Sequence, residues 1–568
     1  MKINKYIAII SLAALGLILH GGAGFAMPPH PDLLNNIENG TIPMPAYLKM
    51  KPQLAKQGVD NATASNKAGK ISLAGNFRAL AVLIEFSDKA NSVNAEEFDT
   101  LIFTDQQSTV RSYYNDVSYG QLDIITVNLP SAIGWTTAPQ TYAYYCNGNN
   151  GTGSYPYNTQ KLCEDIVDII NAQVNFGDYD NDLDGYVDAL ILIHSGPGAE
   201  FTGSDNDIWS HQWAIVPRLR DGVYISGYCI QPEYWQTPGD ITCGVYCHEL
   251  GHVFGLPDLY DTDNDSYGVG KWSVMGYGSW NGPTGMGDYP AFLDAWSRIQ
   301  LGFAEYSNVA SNTTGASIPR IEDATGIVYR LWSSGGLGNE YFLVENRQKT
   351  GYDSYIPYSG LLIWHIDETQ DDNDNQWYPG HESSGNYLVA LEQADGLYQL
   401  EKAYPVGNSG NAGDPFPGSA ANNTFSALST PNSNSYDGDN TYVAVSNISA
   451  SAATMTADFQ VSLSSGGVDP EENLLPKNIY LSQNYPNPFN SSTIIHLNIP
   501  ETAQLSITVF DILGRSVRHL WKGEPGPGEI NLEWDGTDDI GNSLPSGIYF
   551  YRLEYLQGDE TRKMVLLK

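Results

Sequence analysis

Apolar runs and helix-spaced apolar positions alternate through the first half of the chain. "ALAVLIEF" (79–86) is a continuous apolar run of strand length and predicts a buried strand. "STVRSYYNDVSYGQL" (108–122) has helical spacing, and "DIITVNL" after it reads as a strand. "QKLCEDIVDIINAQV" (160–174) predicts a helix, and "YVDALILIHSG" (186–196) a strand ending in a glycine loop. "GVYCHELGHVFGL" (244–256) predicts a helix closed by Gly255 and stopped by Pro257. This alternation predicts an α/β catalytic unit over 76–305. From 306 to 461 the pattern becomes short strands between turn residues, as in "EYFLVENRQ", "GLLIWHID" and "TMTADFQV", which predicts a β-rich extension. Residues 462–476 have linker composition. Residues 477–568 alternate apolar and polar and read as a small Ig-like β-sandwich. Residues 27–75 are weakly periodic and read as a leader or propeptide.

The 568 residues exceed one core. Lys2 and Lys5, the run "YIAIISLAALGLIL" and the small residues "GGAGFA" have the form of a secretory signal peptide over 1–26, cleaved before Met27. No later stretch is apolar enough to span a bilayer. The formal net charge of −37 opposes binding to nucleic acid or anionic membranes. Export permits disulfides among the five cysteines; Cys146–Cys163 and Cys229–Cys243 are the pairings considered, which leaves Cys247 free beside the helix at 244–256.

That helix carries "CHELGHVFGLPDLYD" (247–261). His248 and His252 are four residues apart, so both imidazoles leave one helix face and can share a metal ion. Glu249 points off that axis, towards a water on the metal. Gly255 permits a sharp turn, and Asp258 follows His252 by six residues. That is the register of HExxHxxGxxH with Asp in place of the last His, and a carboxylate is an acceptable zinc ligand. Met275 in "KWSVMGYGSW" (271–280) has the place of a methionine turn beneath such a site, and Tyr277 that of an oxyanion-binding tyrosine.

Together, "HELGHVFGLPDLYD" and "WSVMGYGSW" resemble the secreted immune inhibitor A metallopeptidases, with "DNDIWSHQW", "ENRQKTGYD", "GLLIWHID" and "GDPFPG" in support over about 76–460. The resemblance implies a metzincin-like zincin fold with structural calcium. Its zinc ligands would be His248, His252 and Asp258, and its catalytic glutamate Glu249. Cys247 departs from the pattern, where a small apolar residue is usual. The expected reaction is hydrolysis of peptide bonds in proteins by Glu-assisted attack of zinc-bound water.

"DYDNDLDGYVD" (178–188) places Asp180, Asp182, Asp184 and Asp188 around Gly185 in a partial EF-hand-like register, without the glutamate at position twelve, and predicts calcium binding. Asp261, Asp263 and Asp265 are a second, weaker candidate. His211 reads as a structural histidine. At the C-terminus, "YPNPFN", "GIYFYRL" and "RKMVLLK" resemble a type A sorting domain, which implies the type IX secretion machinery as partner and the cell exterior as destination. The competing reading is an inactive surface adhesion or glycan-binding protein on a protease-like fold; the intact His248, Glu249, His252 and Asp258 weigh against it.

Overall fold

The computed structural model describes residues 26–55, 73–323, 327–462 and, with short interruptions, most of 480–566. The signal-peptide reading (save Ala26), the end of the leader and most of the linker lie outside the described residues. The chain divides into two compact units, Met1–Ser462 and Leu463–Lys568.

The first unit is built on a five-stranded sheet. Its strands are β1 (Leu80–Glu85), β2 (Thr136–Thr137), β3 (Leu190–Pro197), β4 (His211–Arg220) and β5 (Val223–Tyr234), in the order β2-β1-β3-β5-β4. All neighbours run parallel except β4, an antiparallel edge strand on β5. The unbroken apolar runs of β1 and β3 follow from cover on both faces. Ala81, Leu83, Ile191 and Ile193 pack towards α3 (Val110–Val117) and α5 (Cys243–Val253). Leu80, Val82, Ile84, Leu190 and Leu192 pack towards α4 (Thr159–Ile170). The strand expected at 123–129 is shorter, Leu122–Ile125, and pairs in parallel with Gly75–Arg78. The leader, weakly periodic in sequence, contains two helices, α1 (Pro31–Glu38) and α2 (Ala46–Ala55).

The β-rich extension is a five-stranded sheet, Tyr306–Asn308 to Val389–Leu391, facing a three-stranded one. Alternation along the strands explains its two faces. Phe342, Val344, Leu361 and Ile363 fill the space against the smaller sheet. Their neighbours Leu343, Leu362 and Trp364 join the same core as α5. The change of pattern at 305/306 therefore does not interrupt the core. A buried ionic network crosses this seam. Arg347 bonds Asp353 at 2.5 and 2.7 Å and Glu345 at 3.1 Å, and Arg298, on α6 (Ala295–Gln300), pairs with Glu345.

The second unit is an antiparallel β-sandwich of one three-stranded and one four-stranded sheet, with Ile495, Leu497, Ile507, Val509, Trp534, Tyr551 and Leu553 between them. All five cysteines are buried free thiols, which corrects both expected pairings. Their sulfurs are spent elsewhere: Cys146 on Asp205 O, Cys229 on Leu190 O and Cys243 on Gly287 O. Among the described residues no helix is long and apolar enough to cross a membrane.

Candidate metal centre and cleft

Every residue of α5 is buried. His248 and His252, one turn apart, stand edge to face with centroids 4.7 Å apart. Each Nδ1 meets a carbonyl oxygen: Val274 O at 2.8 Å for His248 and Leu256 O at 2.9 Å for His252. A carbonyl only accepts, so each Nδ1 carries a proton, and in the neutral ring Nε2 is left as the metal-binding nitrogen. The two Nε2 atoms lie 3.1 Å apart, and Asp258 Oδ1 is 3.1 Å from one and 3.4 Å from the other. Three possible metal-ligating atoms thus converge. Tetrahedral zinc with bonds near 2.0–2.1 Å needs donors about 3.3 Å apart, so the set fits the ion.

The protonation states agree with that fit. Burial lowers His252, against the opposing pull of Asp258, and keeps its imidazole neutral. Burial alone would raise Asp258, but the opposing contacts, led by the Lys51 ammonium, outweigh it and hold the carboxyl well below the usual range.

The supports are local. Gly255 takes φ +98°, a left-handed turn that brings Leu256 O back to His252. Met275 lies under the helix at Gly251, where an added Cβ would come within 2.5 Å of its sulfur. Its carbonyl accepts from Leu259 N at 2.9 Å, next to Asp258. Tyr277 is fully buried, its ring packs beside Tyr260, and its hydroxyl has no hydrogen-bond partner among the described residues.

Ala26, the end of the signal-peptide reading, and Met27 to His30, the start of the leader, cross this site in extended form. Ala26 N donates to Asp258 Oδ2 at 2.8 Å, and Met27 N to Glu249 Oε1 at 3.0 Å. The carbonyls of Met27 and Pro28 accept from the indoles of Trp209 (2.9 Å) and Trp280 (3.0 Å). His30 N donates to Glu200 O at 2.8 Å. Ala26 also bridges His211 on edge strand β4 in antiparallel sense. From α2, the buried Lys51 ammonium reaches Asp258 Oδ2 at 3.5 Å, bonds the Tyr260 hydroxyl and lies 4.2 Å from that ring's centre. Tyr260 donates in turn to Ala26 O.

Sequence reasoning placed His248, Glu249, His252, Asp258, Gly255 and Met275 together, and they are together. It missed Lys51, Tyr260, Trp209 and Trp280. Trp209, Trp280 and Tyr260 lay inside the stretches "DIWSHQW", "YGSW" and "GLPDLYD"; Lys51 lay in none. His211 is structural, with Nδ1 at 2.7 Å from Trp209 O and Nε2 at 2.8 Å from the Thr159 hydroxyl. The expected calcium loop gathers oxygens of Asp180, Asp182 and Asp188 but not of Asp184, which caps Tyr186 N at 2.8 Å. Burial raises Asp188 to about 7. Asp261, Asp263 and Asp265 form another such group.

Two buried imidazoles and a carboxylate over an α/β sheet, with a glutamate beside them, define a metallopeptidase-like centre. Residues 67–304 match the model of the immune inhibitor A peptidase M6 catalytic domain, and residues 487–559 that of the FlgD Ig-like domain. Immune inhibitor A of Bacillus thuringiensis subsp. alesti is 28% identical over 282 residues, 40% of this chain and 40% of the relative. The pre-pro-metalloprotease PrtV of Vibrio cholerae is 28% identical over 278 residues, 39% of this chain and 29% of PrtV. The chain thus covers well under half of either relative's length. OgpA of Akkermansia muciniphila overlaps 89% of this chain and 95% of its own at 11% identity, with a TM-score of 0.22, too low to carry an argument. The matches support a metallopeptidase: a multidomain chain in which residues 67–304 resemble a peptidase M6 catalytic domain and residues 487–559, in the β-rich C-terminal region, resemble an Ig-like FlgD domain.

Proposed function

We propose that the chain is the latent form of an exported zinc endopeptidase of metzincin type, with His248, His252 and Asp258 as ligands and residues 27–75 as its propeptide. The convergence of three buried ligand atoms, from His248, His252 and Asp258, carries this reading. Zinc held there supplies a Lewis acid that activates water and polarises the scissile carbonyl. Glu249 takes the proton of the attacking water and passes it to the leaving nitrogen. The contact between Met27 N and Glu249 Oε1 supports that role, because it puts a peptide nitrogen where the leaving nitrogen must sit. The edge of β4 receives the substrate main chain, as Ala26 pairs with His211 now. Tyr277, whose buried hydroxyl has no hydrogen-bond partner among the described residues, is the candidate to stabilise the oxyanion. While the leader fills the cleft, substrate has no path to Glu249, so removal of the leader activates the enzyme.

Calcium at Asp180, Asp182 and Asp188 stabilises the loop before β3; five aspartates in eleven residues repel one another without a cation. The C-terminal sandwich acts as a type IX sorting domain, a role supported by "YPNPFN", "GIYFYRL" and "RKMVLLK". The test is casein hydrolysis by the leader-processed enzyme and its Glu249→Gln variant. Wild-type activity should vanish in chelator and fall at least a thousandfold in the variant, with one zinc per chain retained in both. Equal activity of the two proteins would overturn the assignment.

A further inference from the structure

The leader does more than block the cleft: its side chains show which walls a substrate meets. His30, 7% exposed, stands in an aromatic cage. Its ring centroid is 4.9 Å from Phe201 and 4.8 Å from Trp280, the latter edge to face at 87°. Trp235 backs the cage, 4.9 Å from Trp280 and 6.3 Å from Phe201. The imidazole is also hydrogen-bonded in a defined tautomer. Asp32 N donates to Nδ1 at 3.2 Å, so Nε2 carries the proton and donates to Gly285 O at 3.1 Å. Burial lowers the ring's pKa and keeps it neutral in the cage, outweighing the pull of Asp32.

The walls belong to the catalytic body. Phe201 follows β3, Trp235 follows β5, and Trp280 follows the Met275 loop. Leader release uncovers them as a contiguous apolar surface beside the proposed catalytic residues, the kind of surface that marks a binding site. The register is fixed by Met27, whose nitrogen lies on Glu249. Counting from it as the first residue after the scissile bond, His30 is the fourth.

We propose that Phe201, Trp235, Trp280 and the Gly285 carbonyl form a specificity pocket that selects, at the fourth residue after the cleaved bond, a neutral planar ring bearing an N–H donor. This rests on the peptidase reading above. Histidine and tryptophan meet both demands, of ring and donor. Phenylalanine meets only the first, and alanine neither. Ring contacts and one hydrogen bond to a carbonyl together give roughly a tenfold preference in kcat/KM.

The experiment uses leader-processed enzyme and one quenched fluorescent peptide with His, Trp, Phe, Ala or Lys at that position, with the cleaved bond located by mass spectrometry. The expected order is His and Trp above Phe, and Phe above Ala and Lys, with His about tenfold over Ala. In Phe201→Ala the His-to-Ala ratio should fall below twofold; a ratio within one preparation is insensitive to partial misfolding. Lowering the pH through the titration of the peptide's histidine should erase the preference for His and leave that for Trp. Cleavage at the expected bond with equal rates for all five peptides would overturn the pocket and leave the peptidase standing. Absence of chelator-sensitive cleavage of every peptide would overturn both.

Discussion

Lys51 is the strongest test of latency, because among the described residues it is the one buried leader charge that touches the proposed metal site. Its ammonium meets Asp258 Oδ2, whereas the histidine nitrogens face Oδ1. Lysine and metal therefore use different oxygens of one carboxylate, and Lys51→Met removes a leader contact without removing a metal ligand. Breaking a buried pair costs about 3–5 kcal/mol where the remaining charge has no other compensation. Here a bound cation compensates Asp258, so the ion-pair loss is smaller, about 1–2 kcal/mol. Loss of the desolvated cation–π contact with Tyr260 adds about 1–2 kcal/mol. The total, about 2–4 kcal/mol, shifts the ratio of open to closed leader by roughly 30- to 1,000-fold. Full-length protein with its leader uncut, verified by intact mass, should cleave a fluorogenic peptide faster by that factor in Lys51→Met. Zinc content and the rate after leader removal should match wild type. An uncut variant within twofold of wild type would show that Lys51 does not hold the leader closed.

Two further predictions concern the extension. His365, buried between Glu340 and Glu392 at 3.0 Å from each, has its pKa raised to about 9, because these two carboxylates overcome the burial that would lower it. Its folded pKa exceeds the unfolded value near 6.5, so its roughly 3 kcal/mol is fully present below pH 6.5 and is lost as pH rises through 9. Denaturant midpoints should fall between pH 7 and 9.5 in wild type and be flatter in His365→Gln; parallel curves would refute the linkage. Arg347→Met leaves Glu345 and Asp353 buried with Arg298 as the nearest remaining cation, and should destabilise the first unit by roughly 3–5 kcal/mol in urea unfolding. A loss below 1 kcal/mol would mean that the carboxylates find other partners.

What was legible in the sequence was whatever local spacing determines. His248 and His252 are one helical turn apart, so a motif of five residues fixes their geometry. Gly255 and the methionine loop were readable for the same reason. The leader was not. Its helices carry short apolar patches, Leu33 and Leu34 in α1 and Tyr47 and Leu48 in α2, and owe their order to burial against the catalytic body. Lys51 has no local signature at all, since its partner lies more than two hundred positions away. The acidic loop at 178–188 was legible as a cluster, but not which oxygens converge: its aspartates also cap backbone N–H groups of the turn, as Asp180 does for Gly185 and Asp184 for Tyr186.

Asp258 shows why the extension belongs with the catalytic domain. The two histidines are held by a helix, but the third ligand follows Gly255 on irregular chain. Its neighbour Leu259 is fixed on one side by Met275 O and on the other by Asn373, whose amide donates to Leu259 O at 2.8 Å. Beyond it, Thr262 N donates to Asp374 Oδ1 at 2.9 Å, and Tyr267 N to Leu400 O at 2.8 Å. Asn373, Asp374 and Leu400 all come from the extension, so the loop that aims Asp258 is clamped by a region that contributes no ligand itself. A carboxylate at this position also does what an imidazole cannot. A histidine ligand offers one ring nitrogen to the metal and keeps only an N–H behind it, a donor, facing the leader. Asp258 presents one oxygen to the histidines and the second, still an acceptor, to Lys51. One side chain can then serve both the metal and the latch, so an aspartate in place of the third histidine ties metal binding and latency to a single residue.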